Sequence, residues 1–182
     1  MEQREITDIL ISVITISLAF SIPFFQDFFK ILLTVGVGFV LHELGHKYTA
    51  IRYGCHAFYK MWVEGLVLAL GLAFITGGQF IFAAPGATYI YKQNMTRREN
   101  GIISLAGPVV NIFLGLLFFY LAIATPWKDL GALGFRINIF LALFNLLPIP
   151  PLDGSKVFGW NKTAWGIFFG VCVLLFFFPQ LL

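Results

Sequence analysis

Two histidines and a glutamate stand inside one of the most apolar stretches of the chain, FVLHELGHKYTAIRYG, residues 39–54. On a helix, His42 and His46 stack on one face, so both imidazoles can reach a single tetrahedral ion with Glu43 beside them. Such a pair suits Zn2+, and a catalytic zinc needs a third protein ligand and a position open to water. Few donors remain in the apolar sequence to fill that role. Asp153, in FNLLPIPPLDGSK, stands out.

The elements that must position these groups follow from composition. Of 182 residues, 59% are hydrophobic and 12% charged, with a mean hydropathy of +0.86, against roughly 25% charged in an average soluble domain. This excludes a soluble globular protein. The expected fold is an all-α polytopic membrane protein, one domain over residues 1–182, with five to six transmembrane helices and a motif-bearing core at about 28–158. The net charge of +3 comes from twelve Lys and Arg in the segments between apolar runs. That is a membrane topology signal and not a nucleic-acid footprint, so no nucleic-acid partner is expected. Cys55 and Cys172 have neither disulfide nor zinc-site spacing and read as packing residues. His56 reads as a surface histidine, and MEQREITDIL as the start of a retained first helix, since it lacks the basic start of a secretory signal.

Helical spans need about 20 apolar residues, and the candidates are 8–25, 28–48, 102–124, 131–152 and 163–180. Residues 61–92 are apolar too, but Gly77 and Gly78 interrupt them. If this segment crosses once, the basic residues divide six against six between the two faces; if it dips in and returns, they divide nine against three. The second path gives a clear cytoplasmic bias. It predicts a short helix over 61–76, a reversal at the glycines, and a membrane-inserted strand or re-entrant segment at about 77–91. A strand at that depth needs protein or water over its backbone groups.

Depth links the two halves of the site. Taking Lys30 and Arg136 as outer helix ends, His46 and Asp153 each lie about 24 to 25 Å inward at 1.5 Å per residue. Pro148, Pro150 and Pro151 loosen the chain ahead of Asp153, and Asn145, Asn138 and Asn111 are amides that can line the same polar cavity, or join helices as interhelical glue.

Three motifs, His42-Glu43-Leu44-Gly45-His46, then Gly107-Pro108-Val109-Val110-Asn111, then Asn145 to Gly154, together resemble the site-2 protease family of intramembrane zinc metalloproteases. The resemblance implies His42, His46 and Asp153 as ligands of one Zn2+ per chain, Glu43 as acid/base, and Asn145 near the substrate carbonyl. It also implies that an edge strand, here within GGQFIFAAPGATYIY, holds substrate extended. The helix-like stretch at 61–76 departs from the family pattern, and no PDZ-like insertion is seen. The expected partners are transmembrane protein substrates and the lipid bilayer. The expected location is a prokaryotic cell membrane, multi-pass, with the active site nearer the cytoplasmic face. Two rivals stand beside this reading: an ion or proton transporter using the His/Glu/Asp cluster, and an inactive relative that binds transmembrane helices.

Overall fold

The computed structural model describes residues 3–81 and 85–177. Helix α1 (Gln3–Ser21) ends in a tight 3-10 corner at Ile22–Asp27 that begins with Ile22 and Pro23. A short helix α2 (Phe28–Ile31) widens into a π turn at Leu32–Gly36 and runs straight on as α3 (Val37–Arg52). Strand β1 (His56–Met61) follows, and its period-2 pattern is plain: Ala57 and Tyr59 are buried while His56 and Lys60 are exposed.

Helix α4 (Val63–Ile75) is apolar and short; thirteen residues rise only about 20 Å, less than a hydrocarbon core of roughly 30 Å. Gly77 and Gly78 then reverse the chain with φ of +60° and +80°, a region open mainly to glycine. A side chain at Gly78 would also collide with Pro23, whose Cγ lies 2.1 Å from where a Cβ would stand. Strand β2 (Gly86–Tyr91) returns antiparallel to β1, in register from His56 opposite Tyr91 to Met61 opposite Gly86.

Helix α5 (Arg97–Ala124) starts with a reciprocal cap, the Thr96 hydroxyl accepting from the Glu99 N–H while the Glu99 carboxylate accepts from the Thr96 N–H. Helices α6 (Lys128–Asn145), α7 (Asp153–Trp160) and α8 (Lys162–Phe177) complete the chain. Apolar clusters knit them together: Ile16, Ile31, Val35, Ile137 and Leu141 join α1, the α2–α3 path and α6. Ala142, Leu146 and Cys172 join α6 to α8. Cys55 packs with Ala50, Ala57 and Ile103, so both cysteines are buried and free.

Several sequence boundaries move. The strand expected over 77–91 begins only at Gly86, because residues 77–79 are turn; residues 82–84 lie outside the described residues. The span expected to run to residue 152 stops at Asn145, where the proline-rich stretch behind it cannot continue a helix. Among the described residues the fold is helical apart from one two-stranded sheet. Two helical paths are long and apolar enough to cross a membrane, Gln3–Arg52 and Arg97–Ala124. Their surfaces fit an apolar solvent, since large side chains such as Leu10, Ile14, Phe113 and Ile123 are exposed on them.

Candidate metal centre

His42 and His46 project from α3 toward α5, and Asp153 arrives as the first residue of α7. All three are buried, and one ligating atom from each lies within 4.8 Å of the others. The two Nε2 atoms are 3.0 Å apart. Asp153 Oδ2 stands 3.4 Å from His42 Nε2 and 3.0 Å from His46 Nε2. Two ligands about 2.1 Å from a tetrahedral ion lie about 3.4 Å apart, so this triangle has the edges of one face of a zinc coordination shell.

The hydrogen-bond network decides what those atoms carry. His46 Nδ1 lies 2.8 Å from the Ile103 carbonyl, an acceptor, so Nδ1 is the protonated nitrogen. For His42 the partner is Asn111 Oδ1 at 2.5 Å. The orientation of that amide is fixed because Asn111 Nδ2 donates to the Gly38 carbonyl at 3.1 Å and to Asn138 Oδ1 at 3.0 Å. Asn138 is fixed in turn, with Nδ2 donating to the Gly134 carbonyl at 2.9 Å. Both imidazoles therefore point bare Nε2 lone pairs at each other and at a carboxylate oxygen. With both imidazoles neutral, three acceptors converge, an arrangement that repels itself unless a cation sits at the centre. The donor set fits zinc.

Helix α5 leaves the room for it. Ile103, Gly107 and Asn111 share one face of that helix, and a Cβ at Gly107 would stand 2.4 Å from His46 Nε2 and 2.6 Å from His42 Nε2. Pro108 offers no N–H to the Ser104 carbonyl, which loosens the turn beside Ile103. A cavity of about 180 Å³ opens onto the centre, lined among others by Glu43, Thr88, Asn145 and Lys156. Thr88, on β2, donates from Oγ1 to Glu43 Oε2 at 2.8 Å. Lys156 Nζ sits 3.5 Å from Asp153 Oδ1, the oxygen turned away from the imidazoles.

A protein of Methanocaldococcus jannaschii named "Putative zinc metalloprotease MJ0611" is 47% identical over 171 residues, 91% of this chain and 88% of that protein. The chain belongs to the site-2 protease family of zinc metalloproteases. A second relative, "Putative zinc metalloprotease Rip2" of Mycolicibacterium smegmatis, is 37% identical over 63% of this chain and 50% of its own length. "Zinc metalloprotease MJ0392" of Methanocaldococcus jannaschii is 31% identical over 85% of this chain and 40% of its own. No family model matches the chain, and no solved structure does.

In this metalloprotease the structure brings together His42, His46 and Asp153 and sets Glu43 on the same cavity, as the sequence leads one to expect. Asn145 lines the cavity as well, but one of its two N–H groups is taken by the Leu141 carbonyl at 3.0 Å. Asn111 lines the cavity and holds His42, while the fully buried Asn138 stands behind it and holds Asn111. Sequence reasoning missed Thr88 and Gly107 as parts of the site. Thr88 had no signal, whereas Gly107 stands one turn ahead of Asn111 on the face that meets the HExxH helix.

Gly107→Ala is expected to abolish metal binding in an otherwise folded, helical protein, which metal analysis of the purified variant reads directly. Asn111→Leu frees the His42 tautomer and should weaken zinc affinity by roughly 10 to 100-fold, measured by competition with a chelator.

Proposed function

We propose that this metalloprotease is an intramembrane endopeptidase, one domain holding one zinc per chain through His42, His46 and Asp153, and cleaving peptide bonds in or near transmembrane segments of other membrane proteins. The observation that carries the reading is the convergence of three acceptor atoms beside Glu43, in a cavity whose wall is one edge of a strand. Five to six membrane crossings, a prokaryotic cell membrane and an active site nearer the cytoplasmic face belong to the same proposal, supported by the exposed apolar helix surfaces and the nine-to-three division of basic residues.

Zinc held there would supply Lewis acidity toward the scissile carbonyl and would lower the pKa of a water toward 7. Glu43 is placed to take a proton from the attacking water and to return it to the leaving amine. Thr88 Oγ1 holds Glu43 Oε2, which leaves Oε1 for the water. Asn145, with one N–H still uncommitted, faces the same cavity and donates to the developing oxyanion.

A transmembrane helix keeps its carbonyls in internal hydrogen bonds, so it must unwind before it can be cut. Within an apolar medium the freed backbone groups need partners. Strand β2 has them. On β1 the Tyr59 and Met61 N–H groups point away from β2, so by the alternation of an antiparallel ladder their opposites, Thr88 and Gly86, also turn outward, and Ile90 with them. These outward positions all line the metal cavity, where an unwound substrate adds as a third strand.

Two measurements check this. Glu43→Gln should retain zinc and lose cleavage of a model transmembrane peptide by about 100-fold or more; undiminished cleavage removes the hydrolytic reading. Ile90→Pro deletes an outward N–H without breaking the ladder to β1. Its turnover should fall well below that of Ile90→Ala, which loses the side chain alone, while zinc content stays level. Equal turnover in the two variants would remove strand addition and leave the metalloprotease intact.

A further inference from the structure

A two-stranded sheet has two edges, and a substrate that adds as a strand must choose the one beside the metal. The edge of β1 faces α1. There the Tyr59 N–H donates to Glu5 Oε1 at 3.0 Å and the Met61 N–H donates to Asp8 Oδ2 at 3.2 Å. Glu5 and Asp8 are one turn apart on α1 and both are buried. Their helical rise of about 4.5 Å falls short of the roughly 6.7 Å between alternate strand residues, and the side chains span the difference.

The rest of the α1 face continues the same contact. Lys47, the residue after His46, donates to both oxygens of Glu5 at 2.6 and 2.7 Å, fixing that carboxylate in place. Further along, the Tyr59 hydroxyl donates to Ser12 Oγ at 2.8 Å. A stripe of acceptors on a helix thus stands where a neighbouring strand would stand. It satisfies donors that would otherwise be open to pairing.

The geometry points to Glu5 and Asp8 as positioning residues that close the β1 edge and so direct an extended substrate onto β2, beside Glu43 and the metal ligands. This rests on strand addition as the mode of substrate binding. A peptide paired along β1 instead would be separated from the metal cavity by β2, since Gly86, Thr88 and Ile90 line that cavity and no residue of β1 does among the described residues. Such a complex would be occupied and unreactive. Where a peptide on β1 bars a second from β2, this occupancy divides kcat and KM by the same factor and leaves kcat/KM unchanged, because free enzyme and substrate still meet productively at the same rate.

The test uses the full-length protein and a synthetic transmembrane peptide carrying a benzophenone side chain next to the cleaved bond. Glu5→Leu, Lys47→Leu and Asp8→Ala combined open the β1 edge without leaving a buried charge unpaired. Glu5→Gln, Lys47→Gln and Asp8→Asn combined keep an acceptor oxygen at both positions. In the opened variant kcat and KM should fall together, by about twofold where the two edges bind alike, and irradiation should give new adducts on residues 57–61. The acceptor-keeping variant should match the parent, with adducts on residues 86–90 alone. Asp8→Ala by itself, which unpairs no charge, should move both constants the same way if the triple variant loses zinc. Unchanged constants with adducts confined to β2, or a drop in kcat/KM without the paired drop in KM, would overturn the assignment. Ile90→Pro matching Ile90→Ala in the parent background would instead overturn strand addition itself, and this proposal with it.

Discussion

Three lone pairs aimed at one point are the constraint on which the rest of the structure depends. Two imidazole nitrogens and a carboxylate oxygen 3.0 to 3.4 Å apart cannot rest together in an apolar interior without positive charge among them. Their orientation is not left to the ligands. The Ile103 carbonyl fixes the proton of His46, and a relay of buried amides from Gly134 through Asn138 and Asn111 fixes that of His42. Every polar atom in the relay has a partner, so the network is inexpensive in a medium where an unsatisfied amide costs several kcal/mol. Helices α3, α5 and α6 are therefore joined by the same bonds that tune the centre, and Gly107 provides the space that the bonds enclose.

How much of this the sequence displayed depends on how local each requirement is. A helix brings His42 and His46 together by spacing alone, so that pair could be read from five residues. Asp153 was found for a partly wrong reason: the depth argument assumed helical rise from Arg136 throughout, but the helix stops at Asn145 and the chain reaches Asp153 through turns. The prolines that end α6 are what allow Asp153 to begin a new helix pointing at the imidazoles. Strand β1 is hard to see because His56 reads as a lone surface histidine, although His56 and Lys60 on the exposed face alternate with buried Ala57 and Tyr59. Thr88 left no trace, since a threonine in a strand is ordinary until a carboxylate is found opposite. Asn111 and Asn138 were visible as buried amides, but which atoms they join is a property of three helices at once.

The proposed proteolysis within an apolar medium sets two demands that pull apart. Water must reach a metal, and a helical substrate must give up internal hydrogen bonds that are worth more there than in water. The sheet answers the second demand beside the answer to the first. Its outward backbone groups and the metal cavity are the same surface, so under the proposed strand addition a segment that unwinds would exchange its lost bonds for new ones at the place where its carbonyl can be attacked. The bond from Thr88 to Glu43 ties the strand to the proton carrier, and strand position and proton transfer are thereby coupled through a single 2.8 Å contact.

The Glu5–Lys47 pair is best understood from the same geometry. Burying two charges costs about as much as their attraction returns, and replacing such a pair with apolar groups is often neutral or stabilising, so stability alone gives little reason for it. Its neighbours give a better one. Lys47 sits directly after His46, and Glu5 accepts from the backbone of β1, so the pair links the metal-binding helix to the strand that supports β2. Apolar packing between α1 and α3 would hold the helices at a distance but would permit them to slide. Two bonds from one ammonium to one carboxylate, with a third from the Tyr59 N–H, fix the axial position of α1 against both neighbours, and that fixes which edge of the sheet remains open.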